Sequence, residues 1–336
     1  MKSAANRLRA GLFDVLRRYS SPASEIQRKI LVSVSIKHKP YRTAAAMFQI
    51  GLRPMDEARW LDLGPDHAPF MAEKRARLAA DTGLFYRALP KSRGAQHELR
   101  GLLAAHLVRD HGEHFALEGD SLRDLIDGTV HDLAGDSVEP LRVIGAMVEE
   151  DFVILQIIDG RAVITAASNA YSSSGRIVSS VGHAIPWAHQ PVPQLNDQLG
   201  GRIDRILANV QTGKPVERFN WMLTPIASRL FPANPHAGKL AAVEDALDTL
   251  NRDFSRAGEL LWIRVERQTL LRMPETGAVA FSIHTYSDPL SSLEGDTESL
   301  KAMHGLISGY SEDMLRYSTM SAIKAPVLAW LSAQAA

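Results

Sequence analysis

Arg264, Glu266 and Gln268 recur at every second position in a stretch that runs Arg264-Val265-Glu266-Arg267-Gln268-Thr269-Leu270-Leu271-Arg272. Period-2 alternation is the signature of a strand, so these three side chains share one face with Trp262. The opposite row is Ile263, Val265, Arg267, Thr269 and Leu271. A cation, a carboxylate and an amide side by side can polarise a bound group, take up a proton and orient a small polar ligand. Arg218, Asn220 and Trp221 lie on a neighbouring strand candidate and can add to the set. Asn220 and Gln268 each donate and accept, and Trp221 can cover a flat ring or a small cation. Arg267, set among apolar neighbours, needs a carboxylate or another anion if it is buried. The competing arrangement is a solvated polar row, with Arg267 reaching the rim through its aliphatic stem.

The elements that must position these groups follow from periodicity. Apolar runs Phe152–Ile158 and Ala162–Ala167 join at Asp159-Gly160, a two-residue hairpin signal. Val216–Leu223, Leu260–Leu271 and Ala278–Tyr286 supply three more strands, the last two closing a hairpin through Pro274–Gly277. A helix is expected over Leu195–Ala208, between the second and third strands. Upstream, helices are expected over Asp66–Thr82, Arg93–His111, Leu122–Leu133 and Pro140–Glu150, and the chain returns to helix from Glu298. Phe231–His236, with two prolines, is the clearest loop.

Composition narrows the chemistry. The chain has 336 residues and equal numbers of basic and acidic side chains, 38 each, so bulk charge makes no case for nucleic acid or an anionic membrane. No apolar run approaches the ~20 residues of a membrane span. Cysteine is absent. That excludes disulfides, a cysteine-ligated iron–sulfur cluster, a thiolate-ligated haem and a cysteine nucleophile on this chain. Neither G-x-G-x-x-G after a strand nor G-x-x-x-x-G-K-[ST] occurs, so redox chemistry would draw electrons from another polypeptide. The first 45 residues are basic and carry an amphipathic pattern at Leu8, Leu12, Val15 and Leu16. A surface helix or partner-docking arm is the preferred reading, an organellar leader the alternative, and the expected location is the cytoplasm.

Among twelve histidines, His189 has the most distinctive context. Pro191 and Pro193 follow closely and stiffen the backbone at a helix entry, which helps hold an imidazole along one axis. His183 is the nearest competitor. His97 and His106 sit in helices, His111 and His114 at a helix end, and His284 within the last strand.

Several blocks together resemble the alpha subunits of haem-dependent oxidative N-demethylases and their relatives. They are Gly51-Leu52-Arg53-Pro54-Met55-Asp56 with Trp60-Leu61, Glu149–Leu155, His189-Gln190-Pro191-Val192-Pro193, Gly213–Trp221 and Arg264–Pro274. The similarity runs from about Gly51 to about Leu290. It implies an α+β fold: a PAS-like five-stranded antiparallel sheet with helices on one face, flanked by helical N- and C-terminal extensions. The implied organisation is a basic arm (1–50), a helical region (51–150), a haem-binding core (151–290) and C-terminal helices (291–336). It further implies haem b, with His189 as iron ligand and Arg218, Trp221, Arg267 and Arg272 around the cofactor, the arginines as propionate partners. Arg264, Glu266, Gln268 and Asn220 would then be catalytic, acting on dioxygen and a small secondary or N-methyl amine. Electrons would come from NAD(P)H through a separate flavin and iron–sulfur reductase, and an oligomer is compatible with this. The chain departs from the family pattern at Tyr171–Arg176, at Ser180 where a lysine is usual, and at Ala188. The departure at Tyr171–Arg176 favours the alternative of a non-catalytic haem- or ligand-binding sensor or structural subunit.

Overall fold

A computed structural model describes residues 36–43, 51–80, 83–170, 176–188, 195–230 and 235–336. The basic arm up to residue 35, Tyr171–Gly175 and the His189-to-Pro193 motif lie outside the described residues.

The architecture is α+β, built on a seven-stranded antiparallel sheet. In chain order its strands are β1 (Arg53–Pro54), β2 (Tyr86–Ala88), β6 (Asp151–Ile158), β7 (Arg161–Ser168), β8 (Val216–Thr224), β9 (Trp262–Arg272) and β10 (Val279–Pro289). Their spatial order is β1-β8-β9-β10-β6-β7-β2. The five long strands are those the periodicity predicts. Two short edge strands, β1 and β2, extend the expected five to seven. Neither could be read from alternation, because a run of two or three residues shows no period.

Turn chemistry closes both hairpins. Asp159 and Gly160 take φ of 49° and 73°, the paired positive values of a two-residue turn matched to strand twist. In the β9–β10 connection Gly277 has φ of 67°, and the ladder then runs unbroken from Arg272 opposite Val279 to Trp262 opposite Pro289.

A smaller sheet, β3 (Phe115–Glu118), β4 (Ser121–Asp124) and β5 (Val130–Asp132), replaces the helix predicted over Leu122–Leu133. The apolar positions there mimic helical spacing, but the polar residues between them prefer turns. Asp124 Oδ1 accepts from the Ile126 amide and Asp127 Oδ1 from the Thr129 amide, both at 2.9 Å. These side chains compete for backbone donors that a helix would need.

The helices are α1 (His67–Ala79), α2 (Arg93–Asp110), α3 (Pro140–Met147), α4 (Ile185–Ala188), α5 (Leu195–Asn209), α6 (Pro235–Arg252), α7 (Ala257–Leu260), α8 (Thr297–Ser308), α9 (Glu312–Tyr317) and α10 (Lys324–Ala335). Helix α6 was not expected. Pro235 and His236, assigned to the predicted loop, instead open it, with proline at a start where its missing N–H costs nothing.

Helical layers cover both faces of the sheet, not one. On the first face Phe152, Ile154, Ala166, Leu271 and Ala280 pack against Trp60, Leu99, Leu103, Leu141 and Ile144. On the second, Val153, Leu155, Ile164, Ala167, Leu270 and Val279 pack against Val178, Val181, Ile185, Leu207 and Val210. Alternation along each strand feeds both cores, so every central strand is apolar on both sides over part of its length.

Candidate functional site

Register decides which predicted residues meet. Asn220 lies opposite Glu266, Arg218 opposite Gln268, and Met222 opposite Arg264. On the other flank Thr285 faces Glu266 and Ile283 faces Gln268. Directly paired residues of an antiparallel ladder project to the same side. Arg218, Asn220, Arg264, Glu266 and Gln268 therefore form one polar patch on the second face, beyond the apolar cluster under α5.

The patch is not a solvated row. Arg264 is 1% exposed and Glu266 9%. Arg264 Nη1 donates to the Arg229 carbonyl at 2.7 Å, Nη2 lies 3.4 Å from Thr285 Oγ1, and Nε lies 3.7 Å from Glu266 Oε1. Gln268 Nε2 donates to Glu266 Oε2 at 3.1 Å. The carboxylate is thus held in position from two sides.

Arg218 differs from its neighbours. Its Nε is buried and has no hydrogen-bond partner, and among the described residues no carboxylate lies within ion-pair distance. Burial lowers its pKa, with Glu266 opposing. A guanidinium in that position is a costly group unless an anion meets it. Lys239 of α6 is also buried on this side. Burial first, then Arg264, pushes its ammonium down to about 8, while Glu266 pulls the other way. Tyr317 of α9 has its phenol pushed up by burial and then by the Glu266 carboxylate. Neither residue was legible in the sequence, since each belongs to an element outside the strand blocks.

Three predicted cofactor partners sit elsewhere. Trp221 projects from the opposite side of β8, is 6% exposed, and packs edge-on against Tyr41 with centroids 5.5 Å apart. Arg267, 3% exposed, finds its anion within the protein: Nε donates to Glu217 Oε2 at 2.7 Å, and the remaining nitrogens reach the Arg59 and Trp60 carbonyls. Arg272 closes the end of α5, donating to the Leu207 and Ala208 carbonyls at 2.7 and 3.1 Å and to those of Val210 and Gly277. His189 is outside the described residues. His183 is exposed and stacks on Trp187, centroids 4.4 Å apart.

A second buried polar network sits at the start of β6, built on Glu149-Glu150-Asp151. Glu149 Oε1 accepts from the Gly64 amide at 2.8 Å and meets His67 Nδ1 at 2.9 Å, and Arg229 Nη1 donates to Oε2 at 2.6 Å. Glu150 Oε1 meets His284 Nδ1 at 2.9 Å. Lys74 donates to the Val148, Glu149 and Glu150 carbonyls and lies 3.5 Å from Asp151. Burial opposes charge on His67, but hydrogen bonds with Asp124 and Glu149 outweigh it and push the imidazole up to about 9. Against its own burial, Glu149 is held well below the usual carboxylate range by His67 and Arg229. Three acids in a row at the mouth of an apolar strand were a signal that buried cations must await them.

Fold and site together define an α+β protein with a partly buried, cation-rich polar patch on an antiparallel sheet. Residues 51–328 match the family described as haem-dependent oxidative N-demethylase, alpha subunit-like. The chain belongs to that family.

Proposed function

We propose that this chain is the haem-carrying subunit of an oxidative N-demethylase-type monooxygenase. A small secondary or N-methyl amine, dioxygen, two electrons and two protons would give a primary amine, an aldehyde and water. The observation that carries the reading is Arg218: a half-buried guanidinium whose buried Nε has no hydrogen-bond partner, beside Glu266, in a chain of this family. It fits a propionate, the anion that haem b would bring. The order of the five long strands, β7-β6-β10-β9-β8, supports a PAS-like core.

Bound haem would supply the oxygen activation that no side chain here provides. His189 would hold it, a role favoured by the exposed, stacked position of His183. Glu266 accepts the amine N–H and fixes the nitrogen. Gln268 and Arg264 hold that carboxylate in place. Asn220, opposite Glu266, offers a further donor and acceptor to the substrate. Arg264 and Glu266 are themselves shielded from bulk water, which strengthens the contact between them. Without cysteine the chain has no iron–sulfur cluster of its own, and the family's description as an alpha subunit supports electron delivery by a separate chain.

Ser180 favours a second reading, a non-catalytic haem- or ligand-binding subunit. Its hydroxyl is buried and donates to the Arg176 carbonyl at 2.5 Å, where relatives are expected to carry a lysine. The deciding experiment is haem loading followed by oxygen uptake with a supplied reductant. A Soret band with amine-dependent uptake is expected. A Soret band without such uptake selects the second reading, and a protein that takes up no hemin removes both.

A further inference from the structure

Four polar atoms lie buried around the end of α2. Trp60 and His106 are 2% exposed and Glu150 1%. Trp60 Nε1, His106 Nε2, His111 Nε2 and Glu150 Oε2 have no hydrogen-bond partner among the described residues. The rings adjoin edge-on, with centroids 5.4 Å apart for Trp60 and His106 and 5.5 Å for His106 and His111. Glu150 belongs to the same group. Its Oε1 accepts from the amide of Asp62, two residues after Trp60, at 2.9 Å, and the His106 imidazole feels its charge. Folded proteins pair nearly all their buried polar atoms, so four orphans on neighbouring side chains mark a place for a polar guest.

The atoms themselves name the guest. An indole N–H only donates, and a carboxylate oxygen only accepts. His106 Nδ1 lies 2.8 Å from Asp110 Oδ2 and 3.3 Å from Arg109 Nη2. The shorter contact, to the carboxylate, places the ring proton on Nδ1 and leaves Nε2 a bare acceptor. Burial, opposed by Asp110, pushes this imidazole down to about 4, so the ring is neutral near pH 7. The guest must accept from Trp60 and donate to both His106 and Glu150. Water is the smallest species that does so, and these are the two to four polar partners a buried water needs.

Such a water joins two runs of contacts. Outside it stand His106 and Asp110, whose side chain is 16% exposed. Inside it Glu150 Oε1 meets His284 Nδ1 at 2.9 Å, His284 Nε2 lies 3.8 Å from Glu149 Oε2, and Glu149 Oε1 meets His67 Nδ1 at 2.9 Å. Carboxylates and imidazoles alternate along the path, and each can take a proton at one atom and release one at another.

We propose that Trp60, His106, His111 and Glu150 hold a buried water that carries protons between the surface at Asp110 and the Glu150–His284–Glu149 cluster. Outward, Glu150 in its acid form gives its proton to the water as the water gives one to His106 Nε2. The imidazolium then releases its Nδ1 proton to Asp110 and through it to solvent. The ring is left with its proton on Nε2, and an inward proton arriving at Nδ1 reverses every step. The cluster thus exchanges protons with solvent while the fold stays closed.

The test is NMR of the full chain labelled with nitrogen-15, with Trp60 and His284 assigned by the signals that vanish in Trp60→Phe and His284→Gln. A cross-peak from bound water to the Trp60 indole proton is expected. The His284 ring proton should exchange with solvent at least about a hundredfold faster than the amides of β10, which need the sheet to open. Both His106→Leu, which removes the relay ring, and Glu150→Gln, which keeps the shape and removes the acid, should slow that ring exchange at least about tenfold. Should His106→Leu fail to fold, Glu150→Gln decides. A Trp60 indole without a water cross-peak, a ring proton as slow as the β10 amides, or an unchanged rate in the folded variants each overturns the proposal. None of these readouts depends on haem or on turnover.

Discussion

Glu266 is flanked along its face by Arg264 and Arg218, and it is the carboxylate whose charge both of them feel. Glu266→Gln keeps its shape and removes that charge. In a dry site one such electrostatic contact is worth about ten- to a thousandfold in rate, so amine-dependent oxygen uptake should fall within that range while the Soret band stays in place. In the network at the start of β6, His67 gives a pH signature. Its folded pKa of about 9 lies above the ordinary histidine value, so its stabilisation is complete below about pH 6.5 and is lost as pH rises through 9. His106 and His131 act in the opposite sense. Burial lowers each to about 4, so they cost stability as pH falls below about 6.5. Urea midpoints of the parent and His67→Gln, compared from pH 6 to 10, should differ most at the acid end and converge above pH 9. Much of this scale was legible in advance. The alternation along β9 put Arg264, Glu266 and Gln268 on one face, and register with β8 added Arg218 and Asn220. Trp221 was grouped with Asn220 because the two are adjacent in sequence, and adjacency on a strand means opposite faces. His67, Lys74 and Arg229 were hidden because their partners lie far along the chain.

At the scale of elements, Arg272 ties a strand to a helix. Its guanidinium satisfies carbonyls at the C-terminal end of α5, groups that a helix leaves without partners. Helix α5 contributes Leu207 to the second-face core, so its seating shapes the floor beside the polar patch. Arg272→Ala should lower stability by about 2–3 kcal/mol, read as a shift in urea midpoint without a change in slope. Arg272→Lys should recover only part, because an ammonium cannot span several carbonyls as a planar fork does. Long elements with a clean period were legible: α1, α2, α3, α5 and the five long strands lie close to their expected spans. The failures share a cause. Between Leu122 and Leu133 the apolar spacing suits a helix, but the side chains of Asp124, Asp127 and Asp132 cap turns and divide the run into strands. The edge strands β1 and β2 exist only because a neighbour offers hydrogen bonds, a tertiary fact that no local pattern carries.

For the whole molecule, the central question is what fills the patch beside Arg218. A half-buried guanidinium whose Nε is buried without a partner costs stability in the haem-free protein, and a ligand that supplies an anion binds the folded state alone. Haem loading should therefore raise the melting temperature, and the rise should grow with hemin concentration above saturation. At a hundredfold excess over Kd the linkage is worth about 2.7 kcal/mol, enough to shift the melting of a chain this long by several degrees. Arg218→Met separates the electrostatic part of this effect from the rest. The variant should be more stable than the parent without haem, since the uncompensated charge is gone, and should gain less on loading. His189→Ala should abolish or greatly weaken retention, because a metal ligand contributes directly to affinity, whereas His183→Ala should leave it intact. Differential scanning calorimetry of the parent and the three variants, with and without hemin, resolves these contributions. Loss of retention in His183→Ala alone would move the iron ligand to that residue. An Arg218→Met protein less stable than the parent without haem, and equally stabilised by hemin, would mean that the guanidinium packs as a structural group and that the anion-binding role assigned to it must be given up.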